Sequence, residues 1–113
     1  MSIVQVSQIG DNVTVLEVQG RVNLGNYQEL DKAAQEAYDK GVRNIIIDLT
    51  GADSLTSIGI RSLVSIYKIF DANQEGKCKL AGVREEIKDM FNIAGITQFI
   101  EMYDTAEAAA GSF

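Results

Sequence analysis

The residues best equipped for chemistry lie in the stretch DLTGADSLTSIGIRSL, residues 48–63. There Thr50, Ser54, Thr56 and Ser57 put four hydroxyls between an apolar run and a helical pattern. A hydroxyl at such a crossing has two uses: it accepts from a free backbone N–H at a turn or helix start, or it carries a phosphate. Ser57 is placed for both. With the helix read as residues 58–70, it immediately precedes the first helical residue, and Thr56 competes with it as cap. As a cap alone, Ser57→Ala would cost roughly 0.5–2 kcal/mol. As an acceptor, it would hold a phosphate against free N–H groups at the positive end of the helix dipole, with Arg61 one turn on as countercharge. The modification adds about −1.5 to −2 charge, small against a fold but decisive for a docked partner. Like-charge contact or a desolvated phosphate in an interface is enough to release it. Thr50 and Ser54 read as turn-makers.

Other chemistries are poorly supplied. Histidine is absent, which removes the commonest general base and metal ligand. The single Cys78 forms neither an internal disulfide nor a metal pair, and there is no GxGxxG and no Walker A lysine. Asp48, ending a buried strand, invites comparison with a response-regulator receiver. That chemistry needs an acid pair after the first strand and a lysine after the last, and EVQGRVN and EMYDTAE supply neither. Asp48 is expected to brace its own loop. No enzyme, cofactor or metal is expected.

These residues need a scaffold, and the chain can build one. Its 113 residues, 46% hydrophobic and 23% charged, suit a single folded domain over residues 1–113. The net charge is −6, and the ten basic residues are scattered from Arg21 to Lys88. That argues against nucleic acid and anionic membrane surfaces as direct partners. MSIVQVSQIGDNV lacks the charged start and apolar core of a signal peptide, and no apolar run approaches a membrane span. A cytoplasmic protein without membrane insertion is expected. No apolar repeat demands a dimer.

SIVQVSQ and NVTVLEV, separated by IGDN, read as a hairpin, after which GRVNLGN breaks the pattern. YQELDKAAQEAYDKG puts Tyr27, Leu30, Ala34, Ala37 and Tyr38 on one helical face. NIIIDL is apolar without alternation, as a parallel strand covered on both sides must be. Ile60, Leu63, Val64, Tyr67 and Phe70 give the next helix, running into DANQEGK, and CKLAGV the next strand. Ile87, Met90, Phe91 and Ala94 face one side of a third helix. FIEMY reads as a last strand, and DTAEAAAG as a closing helix with Asp104 and Glu107 at capping-box spacing. The order β-β-α-β-α-β-α-β-α implies an α/β fold, a mostly parallel sheet with an antiparallel edge strand and about four helices. Sites in such sheets form where loops leave the carboxyl ends of strands, here after Val18 and after Leu49.

VQGRVNLGNYQELDKA, NIIIDLTGADSLTSIGIRSL, CKLAGVREEIKDMFNIAGI and FIEMYDTAEAA together resemble the STAS domain family, in particular its stand-alone anti-sigma factor antagonists. The most specific part is the crossing. The family pattern is Asp-Leu-Ser/Thr-Gly, then Asp-Ser-Ser/Thr-Gly-Leu opening a helix; here it is Asp48-Leu49-Thr50-Gly51, then Thr56-Ser57-Ile58-Gly59-Ile60. The resemblance implies a non-enzymatic partner switch. The unmodified protein binds an anti-sigma factor that is also a serine kinase, phosphorylation at Ser57 releases it, and a phosphatase resets it. The implied partner surface is Asn23, Leu24 and Asn26 of the loop RVNLGN with Thr56, Ser57, Ile58 and Arg61.

Three positions depart from the pattern: Thr56 stands for the usual aspartate, Ile58 for a common second hydroxyl, and Asn23 for an acid of the loop. The lost carboxylates lessen repulsion toward a phosphate or an acidic partner. Gly20 and Gly59 match family glycines, for a turn with positive φ and close packing respectively. An alternative within the family is a docking subunit of an ABC transporter complex with no phosphoswitch.

Overall fold

The computed structural model describes residues 3–72 and 76–113. Ser2 of the first strand reading and residues 73–75 of DANQEGK lie outside them. The elements follow the expected order: β1 (Val4–Ile9), β2 (Val13–Val22), α1 (Tyr27–Asp39), β3 (Asn44–Leu55), α2 (Ser57–Asp71), β4 (Lys77–Ala81), α3 (Glu85–Ala94), β5 (Met102–Tyr103) and α4 (Ala106–Ala110). A single five-stranded sheet runs β1-β2-β3-β4-β5. Only β1 and β2 pair antiparallel; the other neighbours are parallel.

The run of three isoleucines explains the layering. Side chains alternate across a strand, so Ile45 and Ile47 point to one face and Ile46 to the other. All three are fully buried. On the first face Leu16, Val18, Ile45, Ile47 and Leu49 join Leu30, Ala34, Leu63, Ile66 and Phe70 of α1 and α2, with Ile87 and Phe91 of α3. On the second, Val13, Val15, Ile46 and Ala81 meet Ala106 and Ala109 of the short α4. Ile66 and Ser62 are buried on α2, although the spacing singled out neither; Ala94, expected on the buried face of α3, is exposed. It is the last residue of that helix, and Gly95 closes it in the left-handed conformation (φ 80°), so the chain turns away there.

Two strands run further than the sequence suggested. β2 continues past Val18 to Val22, and β3 past Leu49 to Leu55. Their pairing shifts register twice, between Glu17 and Gln19 and between Gly20 and Arg21, so β3 spends two extra residues against β2. These bulges keep polar residues in a strand that reads as a turn. Gly20 meets the need with φ 78°, within the strand rather than at a turn. Thr50 and Ser54 are therefore strand residues and do not form a turn. FIEMY, in contrast, contracts to Met102–Tyr103. A 3-10 turn (Ile96–Gln98) precedes it, with Ile100 buried and Phe99 exposed against the Tyr67 ring. The closing helix is capped by Thr105, whose hydroxyl accepts from Ala108 N–H (3.0 Å), in place of the expected Asp104–Glu107 box.

The second face hides a charge that the sequence reading passed over. Lys79, in the middle of β4, is 4% exposed. Its ammonium donates to the Ser112 hydroxyl (2.8 Å) and carbonyl (3.2 Å) and stands 4.5 Å from the centre of the Phe113 ring. Glu101 lies 3.6 Å away. The Tyr103 hydroxyl donates to Glu101 (2.7 Å), and this bond, aided by the Lys79 charge and against desolvation, holds the Glu101 carboxyl below its ordinary value. Buried cations persist only with such company.

Candidate functional site

The lengthened strands decide where the site sits. Val22 pairs with Leu55, so β2 and β3 end side by side. The β2–α1 loop and the start of α2 leave the sheet at the same point. Thr56 joins them: its N–H (3.0 Å) and its hydroxyl (3.1 Å) both donate to the Val22 carbonyl. Three residues on, Gly59 packs so closely on β2 that an added Cβ would lie 3.0 Å from Val22 Cγ1. That is close packing, as the sequence suggested.

The loop is knit from its own amides. Asn26 donates through Nδ2 to the Arg21 carbonyl (2.7 Å) and accepts at Oδ1 from Asn23 N–H (2.8 Å). Asn23 Oδ1 accepts from Gly25 N–H (2.8 Å). The Asn26 carboxamide and the Asn23 Oδ1 hold the loop, and its tip presents Leu24, 76% exposed.

Neither expected cap caps. Thr56 occupies the N-cap position of α2 with extended backbone, but its hydroxyl is turned to Val22 and makes no cap bond. Ser57 is the first residue inside the helix, one position later than expected. Its side chain is exposed, and its hydroxyl has no partner among the described residues. Ile58 is half-buried and Arg61 exposed; both border a cleft of about 360 Å³ between α1 and α2, with Tyr27, Asp31, Ser62 and Ser65. At its floor the buried Ser62 hydroxyl donates to Asp31 Oδ1. Of the seven positions expected to form the partner surface, Ile58 and Arg61 share this cleft, Thr56 and Ser57 stand at the start of α2, and Asn23, Leu24 and Asn26 lie in the loop that leaves the neighbouring strand end.

A match to the STAS domain model spans residues 5–109. The chain belongs to the STAS domain family. BtrV of Bordetella bronchiseptica, a candidate anti-sigma factor antagonist, is 28% identical over 103 residues, which are 91% of this chain and 88% of BtrV. A candidate anti-sigma factor antagonist from Thermotoga maritima shares the fold with a TM-score of 0.87 at 22% identity, over 96% of this chain and 92% of its own. The Bacillus protein SpoIIAA in its phosphorylated form superposes with a TM-score of 0.76 at 16% identity, over 96% and 97% of the two chains.

Within this STAS domain Asp48 braces its own segment, which is strand β3 and not the expected loop: its Oδ1 accepts from Thr50 N–H (2.9 Å) and from the Thr50 hydroxyl (2.6 Å). Ser54 accepts from Arg21 Nε (3.1 Å), and Asp53 pairs with Arg84 at 3.9 Å. Of the hydroxyls of Thr50, Ser54, Thr56 and Ser57, the first three are engaged and that of Ser57 is open. The sequence reading missed Arg21 and the Asp31–Ser62 bond. Arg21 carried no signal because its pairing with Ser54 depends on the bulged register. The Asp31–Ser62 contact joins helices 31 residues apart in sequence. Among the described residues no cluster of three or more His, Cys, Asp or Glu could hold a metal ion, and no helix is long and apolar enough to cross a membrane.

Proposed function

We propose that this STAS domain is a cytoplasmic, non-enzymatic anti-sigma factor antagonist, binding an anti-sigma factor that is also a serine kinase and released from it by phosphorylation of Ser57. The kinase moves the γ-phosphoryl group of ATP to Ser57 Oγ, the hydroxyl proton leaves to a base or solvent, and ADP departs; a phosphatase hydrolyses the ester and restores the hydroxyl. The docking surface is Asn23, Leu24 and Asn26 with Thr56, Ser57, Ile58 and Arg61. The observation that carries the reading is the open Ser57 hydroxyl at the first position of a 15-residue helix, beside an exposed loop tip. A phosphate there needs no change of fold, and its charge falls in the middle of the docking surface. The names of BtrV and of the Thermotoga protein support the partner class, and phosphorylated SpoIIAA supports a phosphorylated state.

The test is a pull-down from native cytosol with wild-type and Ser57→Asp baits, followed by Ser57-phosphorylated bait, since aspartate has only half a phosphate's charge. A serine kinase held by wild type and lost by the modified baits is the expected result. An ABC-transporter ATPase subunit held equally by all three would replace this reading with a docking module that has no switch.

A further inference from the structure

The two edges of the sheet are unlike. β5 offers only Met102 and Tyr103, whereas β1 offers the six residues Val4–Ile9 in unbroken register against β2. Edge strands are commonly guarded by a charge, a proline or a bulge, and VQVSQI has none of the three. In an antiparallel ladder alternate residues turn N–H and C=O toward the neighbouring strand, and the others turn them away. Gln19 N–H donates to the Ile3 carbonyl (2.7 Å), and Val4 lies opposite Val18, so Ile3, Gln5, Ser7 and Ile9 face β2. The backbone groups of Val6 and Gln8 therefore point out of the sheet, and no hydrogen bond among the described residues takes them up.

Helix α1 runs beside this edge in the same direction. Near its start Glu29 accepts from Ile3 N–H (3.2 Å), and further along Ala33, Glu36 and Lys40 share a cleft of about 190 Å³ with Val6 and Gln8. Val6 is 61% exposed, and Gln8, Glu36 and Lys40 are exposed as well. At about 3.3 Å per strand residue and 1.5 Å per helical residue, the helix passes Ser7 near residue 38, midway between Glu36 and Lys40.

We propose that β1 is a self-association edge, where two copies of this chain pair their β1 strands antiparallel about a twofold axis at Ser7 and continue one sheet into the other. Val6 of each copy then exchanges two N–H···O bonds with Gln8 of the other, using only the groups that point outward. The same rotation reverses α1, so Glu36 of each copy faces Lys40 of the other. A second copy fits this edge because a twofold axis makes the strand its own complement and pairs the two charges twice. The strand itself is uncharged, so two chains of net charge −6 meet here with little repulsion. Val4 lies opposite Val18 and Ile9 opposite Val13, so Ser7 sits toward the other end of the sheet from Ser57. The pair leaves Ser57 open, and it does not depend on the antagonist reading.

The test is light scattering coupled to size-exclusion chromatography of the full chain from about 10 μM to about 1 mM, the range of a small interface. Wild type is expected to rise from the mass of one chain to that of two. Val6→Lys puts a charge on the edge, and Lys40→Glu sets a second acid against Glu36; each is expected to weaken association by about tenfold or more. Both positions are exposed, and circular dichroism checks that both variants fold. Glu36→Lys combined with Lys40→Glu exchanges the two charges and is expected to restore association. Wild type that stays a single chain throughout, association that either single variant leaves intact, or a double variant that stays apart overturns the proposal.

Discussion

Lys79 lies in strand β4 and Ser57 at the start of helix α2, and the structure treats these two polar side chains in opposite ways. Around Lys79 the ammonium has two hydrogen-bond acceptors in Ser112, a carboxylate in Glu101 and the Phe113 ring, and water is shut out. Around Ser57 the side chains of Ser54 and Thr56 bond to Arg21 and the Val22 carbonyl and leave the Ser57 hydroxyl open to solvent. The difference separates polar groups that hold the fold from one that the fold merely presents. A satisfied buried group resists change, because removing one partner strands the others. An unsatisfied exposed group costs the fold nothing to modify.

The sharpest way to break this contrast is Lys79→Ala. It removes the charge and a long buried stem, and should cost about 2–5 kcal/mol, the range for truncating a large core side chain. Urea denaturation measures it directly. Lys79→Met refines the result, since it keeps the volume while dropping the charge; a smaller loss than for alanine would assign most of the effect to packing. Equal stability of wild type and Lys79→Ala would mean that Lys79 and its contacts to Ser112 and Phe113 do not hold the fold.

The fold was far more legible in the sequence than this contrast. The element order, the antiparallel edge and the two-sided burial of Ile45, Ile46 and Ile47 follow from hydrophobic pattern alone, because burying apolar side chains is non-directional and leaves a periodic trace. Hydrogen-bond partners leave no such trace. Thr56 and Ser57 read as rival caps because both have the right chemistry at the right place. The choice of Val22 as the Thr56 acceptor belongs to a strand 34 residues away. Thr50 and Ser54 read as turn-makers because Gly51, Asp53 and the hydroxyls look like a break, while the two bulges let β3 continue through them. Lys79 sits in a five-residue strand whose alternation gave no hint that its carbon stem would be covered from the end of the chain. Thr56, Ser57 and Arg61 stand out from the chemistry of a helix start, whereas Asn23, Leu24, Asn26 and Ile58 are expected only through family resemblance; periodicity names none of the seven.

Smaller effects sharpen the same comparison. Thr56→Val removes the hydroxyl bond that ties α2 to β2 while keeping the shape, and should cost about 0.5–1.5 kcal/mol by thermal or chemical unfolding. Cys78 is a second buried group that resists modification: burial pushes its thiol from 9.0 up to about 12. The unfolded chain releases this proton near pH 9 while the folded chain keeps it. The contribution is therefore complete below pH 9 and is lost as pH rises toward 12. Comparing wild type with Cys78→Ala across that window should show the slope in wild type and its reduction in the variant. The native thiol should also stay inert to alkylating reagents at neutral pH, since the thiolate is the reactive form. Least affected should be Ser57→Ala. With no hydrogen bond to lose, its stability should stay within about 0.5 kcal/mol of wild type. Ser57→Asp should be neutral or slightly stabilising, as an acid in the first turn of a helix is favoured by the dipole. A loss above 1.5 kcal/mol in Ser57→Ala, on the scale of cap removal, would mean that Ser57 holds the fold after all.

The most direct test of the phosphoswitch is to incubate the chain with the retained kinase and ATP, map the phosphate by mass spectrometry, and measure rebinding of the same kinase. The expected result is one phosphate, on Ser57, absent from Ser57→Ala, with the phosphorylated chain no longer retained. A phosphate placed elsewhere, or a chain phosphorylated on Ser57 that binds as tightly as before, would contradict it.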